Sequence, residues 1–110
     1  MGEDKPQFTQ AWVIHPEITA DRDRRAAEPA LAEAVALAAA MPEMEVIGSD
    51  IVRLAKPQPG LLFGSGKVEE LGSKLHDAHV DLVLIDGPVT PVQQRNLETA
   101  WSEQCRWVRF

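Results

Sequence analysis

The sequence predicts an α/β fold, a small three-layer sandwich with a mostly parallel four-stranded sheet and helices on both faces. Three observations carry this expectation. Short apolar or β-branched runs alternate with amphipathic stretches along the chain, and parallel strands need helical crossovers that cover the sheet. The run Asp81-Leu82-Val83-Leu84-Ile85-Asp86 is apolar without interruption between its two acids, the pattern of a strand buried on both faces. Directly after it, Thr90-Pro91-Val92-Gln93 places a capping threonine, a first-turn proline and a glutamine at the third helical position, which marks a helix start.

The other elements follow in order. Residues 11–14 read as a first strand that ends at His15-Pro16, because proline removes a backbone donor and restricts the residue before it. Leu31, Ala34, Val35, Ala38 and Met41 recur at helical spacing, predicting a helix over 29–41 that Pro42 stops. Residues 44–54 are rich in β-branched side chains around Gly48, which predicts a second strand with a bulge or a close backbone approach at the glycine. Lys56-Pro57-Gln58-Pro59-Gly60 is a stiff connector leading through Leu61-Leu62-Phe63 to Gly64-Ser65-Gly66-Lys67. Val68, Leu71, Leu75 and Ala78 then form the stripe of a second helix, capped by Ser65 or Gly64. Residues 106–110 alternate polar and apolar side chains, as a last strand does. Right-handed crossovers suggest the strand order 2-1-3-4.

A chain of 110 residues with 45% hydrophobic content supplies one core. The expected organisation is a flexible N-terminal segment, residues 1–10, and a single α/β domain, residues 11–110, whose end after the last strand reads as either a cut at a domain boundary or a divergent short form. The net charge of -6 argues against a generic polyanion binder, since each phosphate contact needs a basic side chain. Nucleic-acid contact would be local, at Arg22, Arg24 and Arg25 or at Arg95, Arg106 and Arg109, clusters that more often form solvated faces. The single cysteine, Cys105, allows no disulfide within the chain, which suits the cytoplasm. No apolar run approaches the roughly 20 residues of a membrane span.

Gly64-Ser65-Gly66-Lys67 opens a helix, where free N–H groups and the helix dipole favour an anion. A P-loop would need glycine and a hydroxyl residue where Leu61 and Val68 stand, and a dinucleotide fingerprint would need glycine in place of Glu69, so neither motif is present. The blander reading is a tight turn into the helix. His15 and Asp86 both fall at carboxyl ends of strands, where open sheets bind ligands, although a histidine before proline and an aspartate before glycine serve as packing and turn residues elsewhere. His76 and His79 have a spacing that can share a metal, but no third ligand completes the set, and no metal is expected. A receiver domain would require an acidic pair after the first strand, where this chain has His15-Pro16.

Two stretches together resemble the HflX GTPase family: Lys56-Pro57-Gln58-Pro59 running into Gly64-Ser65-Gly66-Lys67-Val68-Glu69-Glu70-Leu71, and Thr90-Pro91-Val92-Gln93-Gln94-Arg95-Asn96-Leu97-Glu98. His15-Pro16, the alanine-rich helix and Val46-Ile47-Gly48 match the family's opening, so the resemblance spans nearly everything from Ala11 onward. It implies the N-terminal domain of a cytoplasmic GTPase, with a helical hairpin and a GTP-binding domain following where this chain closes at Arg109 and Phe110. GTP and magnesium are implied only for that GTP-binding domain, so no cofactor and no catalysis are expected of this fragment. The implied function is a binding and regulatory module that engages the large ribosomal subunit and its RNA and modulates GTP-dependent action, with the hairpin and the GTPase domain as further partners. Its candidate contact residues are Gly64, Ser65, Gly66, Lys67, Gln93, Arg95 and Asn96. The alternative is a small nucleotide- or phosphate-binding domain with weak hydrolase activity, in which the Gly64-Ser65-Gly66 amides and Lys67 hold phosphates near Asp86.

Overall fold

The computed structural model describes residues 8–19 and 27–101, and the backbone of residues 107–109. In chain order the elements are β1 (Thr9–Ile18), α1 (Ala27–Ala39), β2 (Met44–Leu54), α2 (Ser65–Asp77), β3 (Leu82–Ile85), α3 (Pro91–Ala100) and β4 (Trp107–Arg109). All pairings are parallel, in the order β2-β1-β3-β4. The expected sandwich is met in its parallel sheet and its helices, while the sheet's described side chains come from three strands only, β1 to β3. Cys105, Arg22, Arg24, Arg25 and Arg106 lie outside the described residues.

The first strand is longer than the proline suggested, since β1 begins at Thr9 and continues through Pro16 to Ile18. Backbone direction explains why. The N–H groups of Asp81 and Asp86 donate to the carbonyls of Gln10 and Ile14, each at 2.8 Å, so even-numbered residues of β1 turn their polar groups toward β3. Pro16 is the next in that series, and β3 has already ended at Ile85. The missing donor therefore faces a place where no ladder partner stands.

On the opposite side β1 pairs with β2 along its whole length, with a register shift between Ala11 and Trp12 opposite Val46 and Gly48. The bulge expected at Gly48 is present, and so is the close approach. The Trp12 ring lies where a Cβ on Gly48 would project. Its Nε1 donates to Asp50 Oδ2 at 2.9 Å, and Lys74 Nζ from α2 reaches the same carboxylate at 3.1 Å.

The two faces of the sheet are covered unequally. Ile14, Val52, Val83 and Ile85 join Val68, Leu71 and Leu75 of α2 and Leu97 and Trp101 of α3 in one buried cluster. Val13 and Leu84 point the other way, to a cleft that they share with Ala34 and Ala38 of α1. The sheet thus carries α2 and α3 on one face and α1 on the other.

Helix limits differ modestly from the periodicity. The first helix occupies Ala27–Ala39, with Pro29 in its opening turn, and Met41 lies beyond it and is exposed. The backbone tightens before Pro42, Met41 N–H bonding Ala38 O at 3.1 Å, and Glu43 turns into the left-handed region at φ 62°. The second helix is capped by Gly64 in extended conformation, without a side-chain cap. It closes through His79 at φ 57°, whose N–H bonds His76 O while Val80 N–H bonds Leu75 O, a left-handed stop usually given to glycine. The third helix starts as expected, with Thr90, Pro91 and Gln93 forming the complete capping box.

Val83 is fully buried between the two helical layers. Val83→Asp would strand a carboxylate without a partner and should lower stability by about 3 kcal/mol or more. A cooperative denaturant transition at the wild-type midpoint would contradict the central position of β3.

Candidate functional site

The two sequence stretches that carry the family resemblance meet in space. Gln58 and Leu62 form an isolated antiparallel bridge, Gln58 N–H to Leu62 O at 2.9 Å and Leu62 N–H to Gln58 O at 3.0 Å. Phe63 N–H then bonds Leu61 O at 2.6 Å, and Leu62 between them has φ 66°. This is a γ-turn of the rare positive-φ hand, a conformation that costs a leucine on the order of 1–3 kcal/mol. Burial offsets that cost, since Leu62 and Phe63 are each 1% exposed within the main core.

Helix α3 holds the turn from outside. The buried Gln93 side chain accepts the Thr90 N–H at 2.9 Å through Oε1 and donates through Nε2 to Gln58 O at 2.6 Å. The orientation of the amide follows from its partners, because Thr90 N can only donate and Gln58 O can only accept. One turn further along, Asn96 Nδ2 donates to Gly60 O at 2.9 Å. Gln93 and Asn96, expected as contact residues, are engaged in joining α3 to the 58–62 turn.

The remaining candidates point outward. Gly64, Ser65 and Gly66 are exposed, and neither glycine has any atom within 4 Å of where a Cβ would stand. Packing does not demand glycine at either position. Lys67 Nζ contacts Glu70 Oε1 at 3.3 Å across one helical turn, with 40% of the lysine side chain exposed. Arg95 is exposed on α3 beside the half-exposed Val92, and its guanidinium forms no ion pair among the described residues.

His15 and Asp86 are brought together, as strand ends at a sheet crevice would be. His15 Nδ1 and Asp86 Oδ2 stand 3.0 Å apart, with 13% and 29% of their side chains exposed. They lie at the carboxyl ends of the adjacent strands β1 and β3, whose crossovers leave to opposite faces, which is the switch point of an open α/β sheet. Glu17, two residues further along β1, is paired with Arg53 of β2 at 2.7 Å. Lys67 and Asp86 are each paired with another residue, Glu70 and His15. His76 and His79 are exposed, and His79 serves as the left-handed residue that closes α2. Among the described residues no group of three or more histidine, cysteine or acidic side chains could hold a metal ion, and no helix is long and apolar enough to cross a membrane.

Sequence reading missed Leu62, Asp50 and the indole of Trp101, whose Nε1 donates to Val68 O at 3.0 Å and fastens the end of α3 to the first turn of α2. A positive φ at leucine has no local signal. The tryptophan and aspartate bonds span 33 and 38 residues, beyond the reach of any periodicity.

The fold and site define a small parallel α/β domain whose β2–α2 turn is clasped to α3. The family model described as GTP-binding GTPase N-terminal matches residues 28–106. The chain belongs to this family, the N-terminal domain of HflX-type GTPases. It is 40% identical over 55 residues to a GTPase HflX of Magnetococcus marinus, covering 50% of this chain and 13% of that protein. It is 42% identical over 48 residues to a GTPase HflX of Treponema denticola, covering 44% and 12%. A chloroplastic GTP-binding protein of Arabidopsis thaliana is 33% identical over 67 residues, covering 57% of this chain and 11% of its own length. The chain thus spans less than a fifth of each of these relatives.

The clasp and the outward charges should respond differently to mutation. Gln93→Ala removes the cap on the Thr90 N–H and the bond to Gln58 O, both partly buried, and should cost about 1–2 kcal/mol. Arg95→Ala and Lys67→Ala should each change stability by no more than about 0.5 kcal/mol. Urea midpoints of the three variants check this, and equal losses in all three would remove the distinction between clasp and surface.

Proposed function

We propose that this chain is the N-terminal binding and regulatory module of an HflX-type GTPase, which associates with the large ribosomal subunit and modulates the protein's GTP-dependent action in the cytoplasm. The observation that carries this reading is the division of labour within one motif. In Thr90–Glu98, Gln93 and Asn96 are occupied in folding, whereas Arg95 stands exposed between them. A charge in a recognisable motif with no folding role is best explained by a contact outside the domain. The net charge of -6 restricts any contact with ribosomal RNA to such local points. GTP and magnesium belong, on this reading, to the part of an HflX-type protein outside the matched stretch.

The test uses an HflX-type protein that carries this chain as its N-terminal domain. Arg95→Ala and Lys67→Ala should weaken co-sedimentation with purified large ribosomal subunits, or the stimulation of GTP hydrolysis by them, at least several-fold while leaving the melting temperature in place. Unchanged binding and unchanged stimulation in both variants would defeat the proposal. Calorimetric titration of the isolated chain with ATP and GTP should give no heat of binding. Micromolar affinity abolished by Lys67→Ala would favour a nucleotide-binding domain instead.

A further inference from the structure

The sheet has one long open edge. β2 stands at the end of the order β2-β1-β3-β4 and runs for 11 residues, and among the described residues nothing pairs with its outer side. Thr19 N–H bonds Leu54 O at 2.9 Å, so the even-numbered residues that follow the bulge turn their polar groups to β1. Ser49, Ile51 and Arg53 therefore direct their N–H and C=O groups outward, a row that a further strand would satisfy. On the α1 side the edge continues into a cleft of about 440 Å³ lined by Leu31, Ala32, Val35, Ala36 and Ile51.

We propose that β2 pairs antiparallel with β2 of a second copy of this chain, about a two-fold axis at Ile51 perpendicular to the sheet. Ile51 exchanges both backbone bonds with the partner's Ile51, and Ser49 and Arg53 do the same with the partner's Arg53 and the partner's Ser49, roughly six main-chain hydrogen bonds in all. Side chains agree with this register. The Arg53 guanidinium, 63% exposed and bonded to Glu17 through Nε, meets a serine hydroxyl and no like charge. Asp50, on the other face, is already held by Trp12 and Lys74 and lies opposite the partner's Val52. An axis at Asp50 or Arg53 would set like charges directly opposite. One at Ser49 would run the ladder into the bulge beside Gly48, and one at Val52 would leave Ser49 facing the partner's Ala55, past the end of β2. Helix α1 supplies the second contact. It lies over β2 and β1, and with strands about 4.8 Å apart a helix centred between them stands about 2.4 Å behind the edge. Two such helices related by the axis are antiparallel and roughly 10 Å apart, the separation at which helices pack. Ala32 and Ala36, both exposed, leave room for that approach, while Leu31 and Val35, half-buried beside Ile51, fill the groove from each side. Ladder and helix pair form one continuous, self-complementary surface, that of an isologous dimer. This inference is independent of ribosome binding.

The test is sedimentation velocity of the 110-residue chain from micromolar to millimolar concentration, in about 0.3 M salt to screen the net charge of -6 on each copy. A reversible dimer with a micromolar midpoint is expected. Ala36→Glu, at an exposed helical position of the groove, should weaken dimerisation at least tenfold with the monomer's melting temperature unchanged. Leu37→Glu, on the other side of α1 in the cleft beside β3, should leave it intact. In a Cys105→Ser background, Ile51→Cys should form an intermolecular disulfide on mild oxidation, while Ser49→Cys, roughly 14 Å from its mate in this register, should not. A chain that stays monomeric at millimolar concentration overturns the inference, and so does a dimer disrupted by Leu37→Glu rather than Ala36→Glu. Should Ile51→Cys not fold, Ser49→Cys and Arg53→Cys chains are mixed and oxidised. Crosslinks between the two variants support the inference, and crosslinks confined to one variant, or none, overturn it.

Discussion

One side-chain amide fixes the geometry on which the rest of this surface depends. Gln93 caps its own helix by accepting from Thr90 and in the same place donates to Gln58 O. That carbonyl also accepts the Leu62 N–H, so both of its lone pairs are used within the clasp. Without the amide, the start of α3 and the 58–62 turn would each lose a partly buried hydrogen bond and the link between them. With it, Leu62 can be held at φ 66° and its side chain, followed by Phe63, enters the core ahead of α2.

The consequence for function is that a connector between β2 and α2 becomes part of a rigid body. Loops without such anchoring move and vary, and binding residues placed on them lose affinity to the entropy of ordering. Here the outward residues of both family stretches, Lys67 and Arg95, project from helices that the clasp and the Trp101 bond to Val68 tie together. The two faces of the sheet are then distinguished by their state of completion. The α2 and α3 face is closed by a continuous apolar cluster, whereas the α1 face ends in exposed Leu37 and Met41.

Local rules made much of this legible. The continuous apolar run of β3, the capping box of α3 and the bulge at Gly48 each follow from spacing within a few residues, and each is found where spacing put it. Pro16 misled because a proline's cost depends on which neighbour its missing donor faces, and β3 stops short of it. Met41 misled because an apolar residue in step with a helix can lie past its last turn. At the candidate site, types were legible and roles were not: Gln93 and Asn96 are polar residues on a helix, and only the approach of a turn 35 and 36 residues away assigns them to folding. Arg95, between them, keeps its exposure. The pairing of His15 with Asp86 across 71 residues was foreseeable only as a shared position at strand ends.

The clasp is tested most directly by amide hydrogen exchange at Leu62. Leu62 is buried and its N–H is bonded to Gln58 O, and if Gln93 locks that turn to α3 it opens only with the domain. The account predicts protection at Leu62 matching that of Leu71 and Leu75 in the core of α2, and loss of that protection in Gln93→Ala while the helix amides remain slow. Rapid exchange at Leu62 in the wild-type chain, with Leu71 and Leu75 fully protected, would show a turn that opens on its own and would contradict the account.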